Sequence, residues 1–309
     1  MNRAEPTPRQ RATGEPGSRL GFLYGFGAYA LWGVLPVYFK ALARVPAVDI
    51  VAHRVLWSLP FLALLVLLSK GWGKVRAALA RRQTVGILLL TALLIGGNWL
   101  LYTYAVISGH ILAASFGYYL NPLANVLLGR FVLNEHLSRL QWTAVAIAAA
   151  GIGVLAAGAL GQLWISLALC FSFALYGLLR KVVRADAVTG LAIETAILFP
   201  PAVLWLAWRA ASGAPVMGTD PVETGLLMLA GIVSTTPLLL FTAAARRLPY
   251  STLGMLQFLA PTLQFLLAVL LYGEPFTTAH GIAFAAIWTA LALYVTALVK
   301  QPRLPQAPE

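Results

Sequence analysis

A chain of 309 residues that is 60% hydrophobic and 10% charged stands far from the roughly 45–50% apolar and about 25% charged make-up of soluble domains, which excludes an ordinary soluble enzyme or binding module. The net charge of +12 does not mark a nucleic-acid partner, because seventeen of the 22 Lys and Arg fall in alternate loops and tails, a pattern that reports orientation in a membrane. The one cysteine, Cys170, lies inside an apolar run, which rules out an intrachain disulfide, argues against a thiolate metal cluster and leaves packing as its role.

Residues 1–19 hold Pro6, Pro8, Pro16, Arg3, Arg9, Arg11 and Arg19 without an apolar centre, so they read as a disordered tail and not as a cleavable signal peptide. Ten runs of the length that crosses about 30 Å of hydrocarbon follow, near residues 20–39, 47–69, 84–106, 110–133, 139–158, 160–179, 188–208, 222–245, 250–272 and 277–299. The joins around Ser108 and Gly109, Gly158 to Gly161 and Gly273 to Phe276 are short enough to force antiparallel hairpins. Residues 300–309, with three prolines, read as a second tail.

Basic residues divide by loop. One side has the N-terminal tail, Lys70 to Arg82, Arg139, Arg180 to Arg184, Arg246 and Arg247, and the C-terminus; the other has only Lys40, Arg44 and Arg209. The bias predicts that both termini are cytoplasmic.

The chain is also doubled. Asn121 to Glu135 returns 139 residues later as Ala260 to Glu274, with Pro122 on Pro261 and Glu135 on Glu274. Pro60 falls on Pro201, and Tyr29-Ala30-Leu31-Trp32-Gly33 is similar to Phe173-Ala174-Leu175-Tyr176-Gly177. Five spans per half is an odd number, so the halves, residues 20–159 and 160–299, are expected to insert with opposite orientation.

Five motifs, His53-Arg54-Val55-Leu56-Trp57-Ser58, Ile95-Gly96-Gly97-Asn98-Trp99-Leu100-Leu101, Gly117-Tyr118-Tyr119-Leu120-Asn121-Pro122-Leu123, Ser172-Phe173-Ala174-Leu175-Tyr176-Gly177 and Tyr250-Ser251-Thr252-Leu253-Gly254, resemble the EamA branch of the drug/metabolite transporter superfamily. The likeness runs over residues 20–299. It implies an all-α bacterial inner-membrane permease of ten transmembrane helices in two inverted five-helix EamA repeats. Spans one, three, four, six, eight and nine would line a central cavity, and spans five and ten would pack at the periphery. The cargo it implies is a drug or metabolite, including chloramphenicol-like compounds.

Several polar residues inside the spans are candidates for the site. Arg54 needs a partner or a task at such depth: it reads as the anchor of an anionic or polar substrate group, or as a structural partner of Asp49 or Glu194, or as snorkelling. His53 could titrate in a proton-coupled cycle or merely hydrogen-bond a neighbouring helix. Glu194 matches His53 when Pro60 is laid on Pro201, and reads as a proton carrier or an ion-pair partner. Asp49 and His53 have metal-ligand spacing, but without a further His or Cys cluster no metal is expected.

Asn98, Trp99 and Tyr102, Tyr118, Tyr119, Asn121 and Asn125, and Gln257 and Gln264 supply aromatic faces and amides for a cavity, or for packing between helices. Pro122, Pro237 and Pro261 are hinge or static-kink candidates. Glu135 and Glu274 precede Ser138 and Thr277 or Thr278, so they read as structural caps near the next helix starts. Ala149, Gly153 and Ala157 suit a close helix contact and a homodimer face.

These observations favour a secondary transporter working by alternating access in a lipid bilayer, with protons as a candidate coupling ion. No Walker A loop, HExxH set or nucleophile-base pair is present, so neither ATP drive, an enzyme nor a cofactor is expected. An amino-acid or metabolite facilitator or exchanger, and a receptor that binds without flux, are the alternatives.

Overall fold

The structure, a computed structural model, describes residues 19–107, 111–156, 163–271 and 278–300. The tails beyond them, the three tight joins, Ala157 and Glu274 lie outside the described residues. In chain order the helices are α1 (Arg19–Ala41), α2 (Ala47–Leu68), α3 (Trp72–Leu79), α4 (Arg82–Ile107), α5 (Ile111–Phe131) and α6 (Arg139–Ala156), then α7 (Leu163–Val182), α8 (Ala187–Ala211), α9 (Pro221–Ala245), α10 (Tyr250–Leu256), α11 (Leu259–Leu266), a π-helical turn at Leu267–Leu271, and α12 (Thr278–Lys300). Among the described residues, 7 helices are long and apolar enough to cross a membrane: α1, α2, α4, α7, α8, α9 and α12.

The helix starts are written in the local sequence. Asp186 accepts the Thr189 N–H at 2.8 Å and caps α8. Asp220 accepts the Glu223 N–H at 2.8 Å ahead of Pro221, which needs no donor at a first helical position. Ser138 and Gln141 exchange backbone and side-chain bonds at the start of α6, the reciprocal capping-box arrangement. At the end of α5, Asn134 takes a φ of 56°, the left-handed conformation that asparagine tolerates, and turns Glu135 back toward the bundle.

Two elements depart from the sequence reading. The basic stretch after α2 contains the short helix α3, which lays Ala78 and Val75 against α4 and α8 while Trp72 and Leu79 stay exposed. The ninth apolar run is not one helix. It breaks at Gln257 and Phe258, where Pro261 offers no N–H to the Gln257 carbonyl and that carbonyl takes the Ala260 N–H at 3.2 Å. Pro122 and Pro237, by contrast, sit inside helices that run on without interruption.

The bundle packs α1 and α2 against α9, α2 against α8, α5 against α7 and α10, and α4 against α7. Helices α6 and α12 pack on each other, with Gly151 admitting Ala283 and Ala286. Ala149 and Gly153 face away from that seam. In the centre, Gly231 of α9 lies against the backbone of Trp57 and Ser58, the small-residue approach that replaces hydrophobic driving force between helices in lipid.

Candidate functional site

Side chains from four helices surround Arg54 of α2. Its Nε donates to Ser234 Oγ of α9 at 2.7 Å, and its guanidinium carbon lies 4.3 Å from the centre of the Trp99 ring of α4. The phenols of Tyr118 of α5, Tyr38 of α1 and Tyr102 of α4 lie within electrostatic reach. Ser58, one turn on, donates to the Arg54 carbonyl at 2.5 Å and accepts from Thr235 at 2.7 Å, which pins α2 to α9 behind the guanidinium. Tyr38 donates to the Leu226 carbonyl at 2.7 Å, and the Tyr102 and Tyr118 rings meet at 5.6 Å. Arg54 is partly exposed, and among the described residues no carboxylate pairs with it.

The two acids that the sequence offers as candidate partners for it are committed elsewhere. Asp49 is paired with Arg209 at 2.8 Å and also accepts from Trp205 Nε1 at 2.9 Å. Glu194 lies 3.5 Å from Arg180 Nε, accepts from Thr91 at 2.5 Å and from the Tyr176 phenol at 3.4 Å. Of the alternatives the sequence leaves open for Arg54, the pair with Asp49 or Glu194 is not the one formed: sequence distance cannot show that Arg209 reaches Asp49, or that Gly190 leaves the room Arg180 fills. His53 points away from Arg54: its Nε2 is 2.7 Å from the Val216 carbonyl, an acceptor only, so Nε2 carries the proton. Among the described residues, His53 and Glu194 share no hydrogen-bond or ion-pair partner.

The two matched pentapeptides meet in the bundle through Trp32 and Phe173. Trp32 contacts Tyr29, Phe173 and Phe241 with ring centres 5.7 Å apart in each case, and Phe173 contacts Phe241 at 5.3 Å and Tyr176 at 6.1 Å. Trp99 packs on the wider apolar core that contains Tyr29, Phe173, Tyr176 and Phe241.

The amides are split between roles. Asn98 donates to the Leu169 carbonyl at 3.0 Å and to Ser172 at 2.8 Å, tying α4 to α7. Asn125 donates to Gln257 at 2.8 Å and joins α5 to the break after α10, while Gln264 donates to the Trp32 carbonyl at 3.0 Å. Asn121 is fully buried with neither amide atom hydrogen-bonded. Among the described residues, none of these five amides is a hydrogen-bond partner of Arg54. Tyr119 packs on Phe284 at 6.4 Å instead.

Glu135 caps a helix, but not the next one. Its carboxylate accepts the Tyr250 N–H at 2.5 Å, the Ser251 N–H at 2.9 Å and the Ser251 hydroxyl at 2.6 Å. It thereby closes the start of α10, whose cap position is Pro249 and offers no side-chain bond. Nearby, buried Lys181 donates to the Ala245 and Leu248 carbonyls, and the Tyr250 phenol donates to the Ala174 carbonyl at 2.5 Å.

Sequence reasoning missed Ser234, Tyr38, Arg180, Arg209 and Lys181. Tyr38 and Ser234 carry no signal in an apolar run; Lys181 and Arg180 were counted as loop charge although both are buried. Two surface clefts, one of about 320 Å³ lined by Val34, Leu263 and Leu270 among others, and one of about 360 Å³ between Lys40, Arg44 and Asp220, do not include Arg54. The first is apolar and formed by exposed leucines on the outside of the bundle, whereas the convergence of polar groups is at Arg54.

Residues 19–157 match the model of the EamA-like transporter family. An uncharacterized transporter of Vibrio cholerae is 46% identical over 278 residues, covering 90% of this chain and 92% of the relative. The protein RarD of Escherichia coli is 45% identical over 286 residues, covering 90% and 94%. The chloramphenicol-sensitive protein RarD of Pseudomonas aeruginosa is 35% identical over 279 residues, covering 88% and 92%. One crystal structure, at 20% identity, superposes with a TM-score of 0.71 over 91% of this chain and 99% of that one, a likeness of fold. The apolar helices and these relatives together describe a multi-pass bacterial membrane protein of transporter kind, and the chain belongs to the RarD proteins of the EamA-like transporter family.

Proposed function

We propose that this protein is a secondary transporter of the bacterial inner membrane that moves small organic molecules by alternating access, with Arg54 at the substrate site. The observation that carries the reading is the convergence of Tyr38, Trp99, Tyr102, Tyr118 and Ser234, from four helices, on an arginine of a fifth that has no carboxylate partner among the described residues. A charge at that depth costs about 2.5–3.5 kcal/mol on insertion scales, and Asp49 and Glu194 offset other cations. Ligand binding supplies the missing compensation.

In this reading the chain has ten spans in two inverted five-helix repeats, with both termini cytoplasmic. Exchange of the two halves' conformations exposes the site to each side in turn. The intact α5 and the broken α10 and α11, two copies of one apolar segment in different shapes, support such an exchange. The name of the Pseudomonas aeruginosa relative makes chloramphenicol a compound to test as cargo; an amino-acid or metabolite facilitator or exchanger of the same fold is the second reading. Protons are the proposed coupling ion, and Glu194, held by Thr91 and Tyr176, is the group to carry them.

Flux into proteoliposomes, with chloramphenicol and amino acids in the panel and with or without a pH gradient, tests this. Arg54→Ala should abolish uptake while leaving folded protein, and full activity of that variant removes Arg54 from the site. Uptake that ignores the gradient overturns coupling through Glu194 or His53, and binding without uptake makes the protein a receptor.

A further inference from the structure

The surroundings of Arg54 restrict the charge of what it binds. Among the described residues, Asp49 and Glu194 pair with Arg209 and Arg180, Glu135 caps α10, and Asp186 and Asp220 cap α8 and α9. Glu223 accepts from Thr219 at 2.6 Å. The groups facing Arg54 are phenols, an indole and a hydroxyl, all uncharged at neutral pH. The site therefore has one positive charge and no negative one.

The guanidinium is also partly spent. Nε is committed to Ser234 and one region of the plane to Trp99, whereas the Nη atoms form no hydrogen bond among the described residues. Two parallel N–H donors on one edge match the two oxygens of a carboxylate. Trp99, whose ring lies under the guanidinium, and the Tyr102 and Tyr118 rings, which meet at 5.6 Å, then offer flat apolar surfaces in the arginine's neighbourhood.

From this geometry we infer that the Arg54 site takes an organic monoanion, a carboxylate joined to a flat apolar body, and discriminates against neutral, zwitterionic and doubly charged analogues. A neutral aromatic such as chloramphenicol leaves the arginine uncompensated. A zwitterion brings an ammonium for which the site has no carboxylate. A phosphomonoester, at about −1.5 to −2 near neutral pH, exceeds the single charge available. The inference rests on Arg54 being at the substrate site and names the substrate class of that site.

The test measures binding first and flux second. Purified full-length protein in nanodiscs is titrated with phenylacetate, 2-phenylethanol, phenylalanine, phenyl phosphate and chloramphenicol, by calorimetry and tryptophan fluorescence. Phenylacetate should bind roughly 10-fold or more tighter than each of the others, the size expected of a charge-assisted bidentate contact. Arg54→Gln should erase that difference, and Arg54→Lys, which keeps the charge but loses the fork, should retain part of it. Equal affinity across the panel, or tighter phenylalanine or phenyl phosphate, overturns the proposal. Uptake into proteoliposomes separates the two readings: selective binding without uptake keeps the substrate class and removes transport, while uptake without charge preference keeps transport and removes the substrate class.

Discussion

Asp49 and Arg209, 160 positions apart, form an ion pair at 2.8 Å in which the carboxylate is 4% exposed and the guanidinium 21%. The pair fastens the start of α2, five residues before Arg54, to the end of α8. Removing one partner of a buried pair costs about 3–5 kcal/mol because a charge is left behind; the partial exposure of Arg209 reduces this to about 2–3 kcal/mol for Arg209→Gln. The double variant Asp49→Asn, Arg209→Gln should recover at least half of the loss. Thermal unfolding of the purified protein in detergent measures both, and identical losses in the single and double variants contradict the assignment.

Replacement of Glu135 should separate two effects. Glu135→Ala leaves the Tyr250 and Ser251 N–H groups and the Ser251 hydroxyl without their acceptor, at about 1–3 kcal/mol for each group that stays buried and unpaired. Glu135→Gln keeps one acceptor and should lose about half as much. Equal midpoints for the two variants would mean that the carboxylate's acceptor role is unimportant.

Gly231→Ala tests the approach of α2 and α9. Helix propensity alone predicts a gain of about 1 kcal/mol, but the added methyl meets the Trp57 and Ser58 backbone, which cannot rotate away. The expected result is a loss of about 1–3 kcal/mol from overpacking, accompanied by weaker ligand binding, because Ser234 lies one turn from Gly231 and moves with it. A stabilised variant with unchanged binding refutes both parts.

Asp186 makes stability depend on pH at one end of α8. Burial alone would raise its carboxyl, but the Thr189 N–H and hydroxyl and the Lys74 ammonium, 3.3 Å away, outweigh that and hold it below the usual 3.8. With the folded value below the unfolded one, the stabilisation is present above about pH 4 and is lost as the pH falls through the lower, folded value. Asp186→Asn keeps an acceptor for the cap, so it should cost at most about 1 kcal/mol at pH 7 and progressively less as the pH falls and the carboxyl protonates. Unfolding midpoints at pH 7 and pH 3 decide it; a loss that is equal at both pH values contradicts the charge argument.

The apolar runs, the helix starts at Asp186, Asp220 and Ser138, and an arginine inside a span are properties of local sequence, and local sequence displays them. Partnership is different. Asp49 has Arg54 five residues away and Arg209 160 away, and only the crossing of α2 and α8 chooses between them. Proline is equally ambiguous in one dimension: Pro122 and Pro261 occupy matching places in the two apolar segments, yet α5 continues and the second segment breaks. The backbone gap is the same in both. What differs is packing, since α5 is clasped by both α7 and α10, which no window of one segment contains.

The reach of Glu135 to Tyr250 also bears on how the chain is made. A ribosome delivers residue 135 more than a hundred residues before Ser251, so for that interval a carboxylate destined for burial has no donors, and the Pro249 turn cannot begin a closed helix by itself when it finally emerges. Assembly of the first part of the chain is thus left incomplete until the last helices arrive. Expressed alone, residues 1–159 should be cleared by proteases, and supplying residues 160–309 as a separate chain should prolong their lifetime.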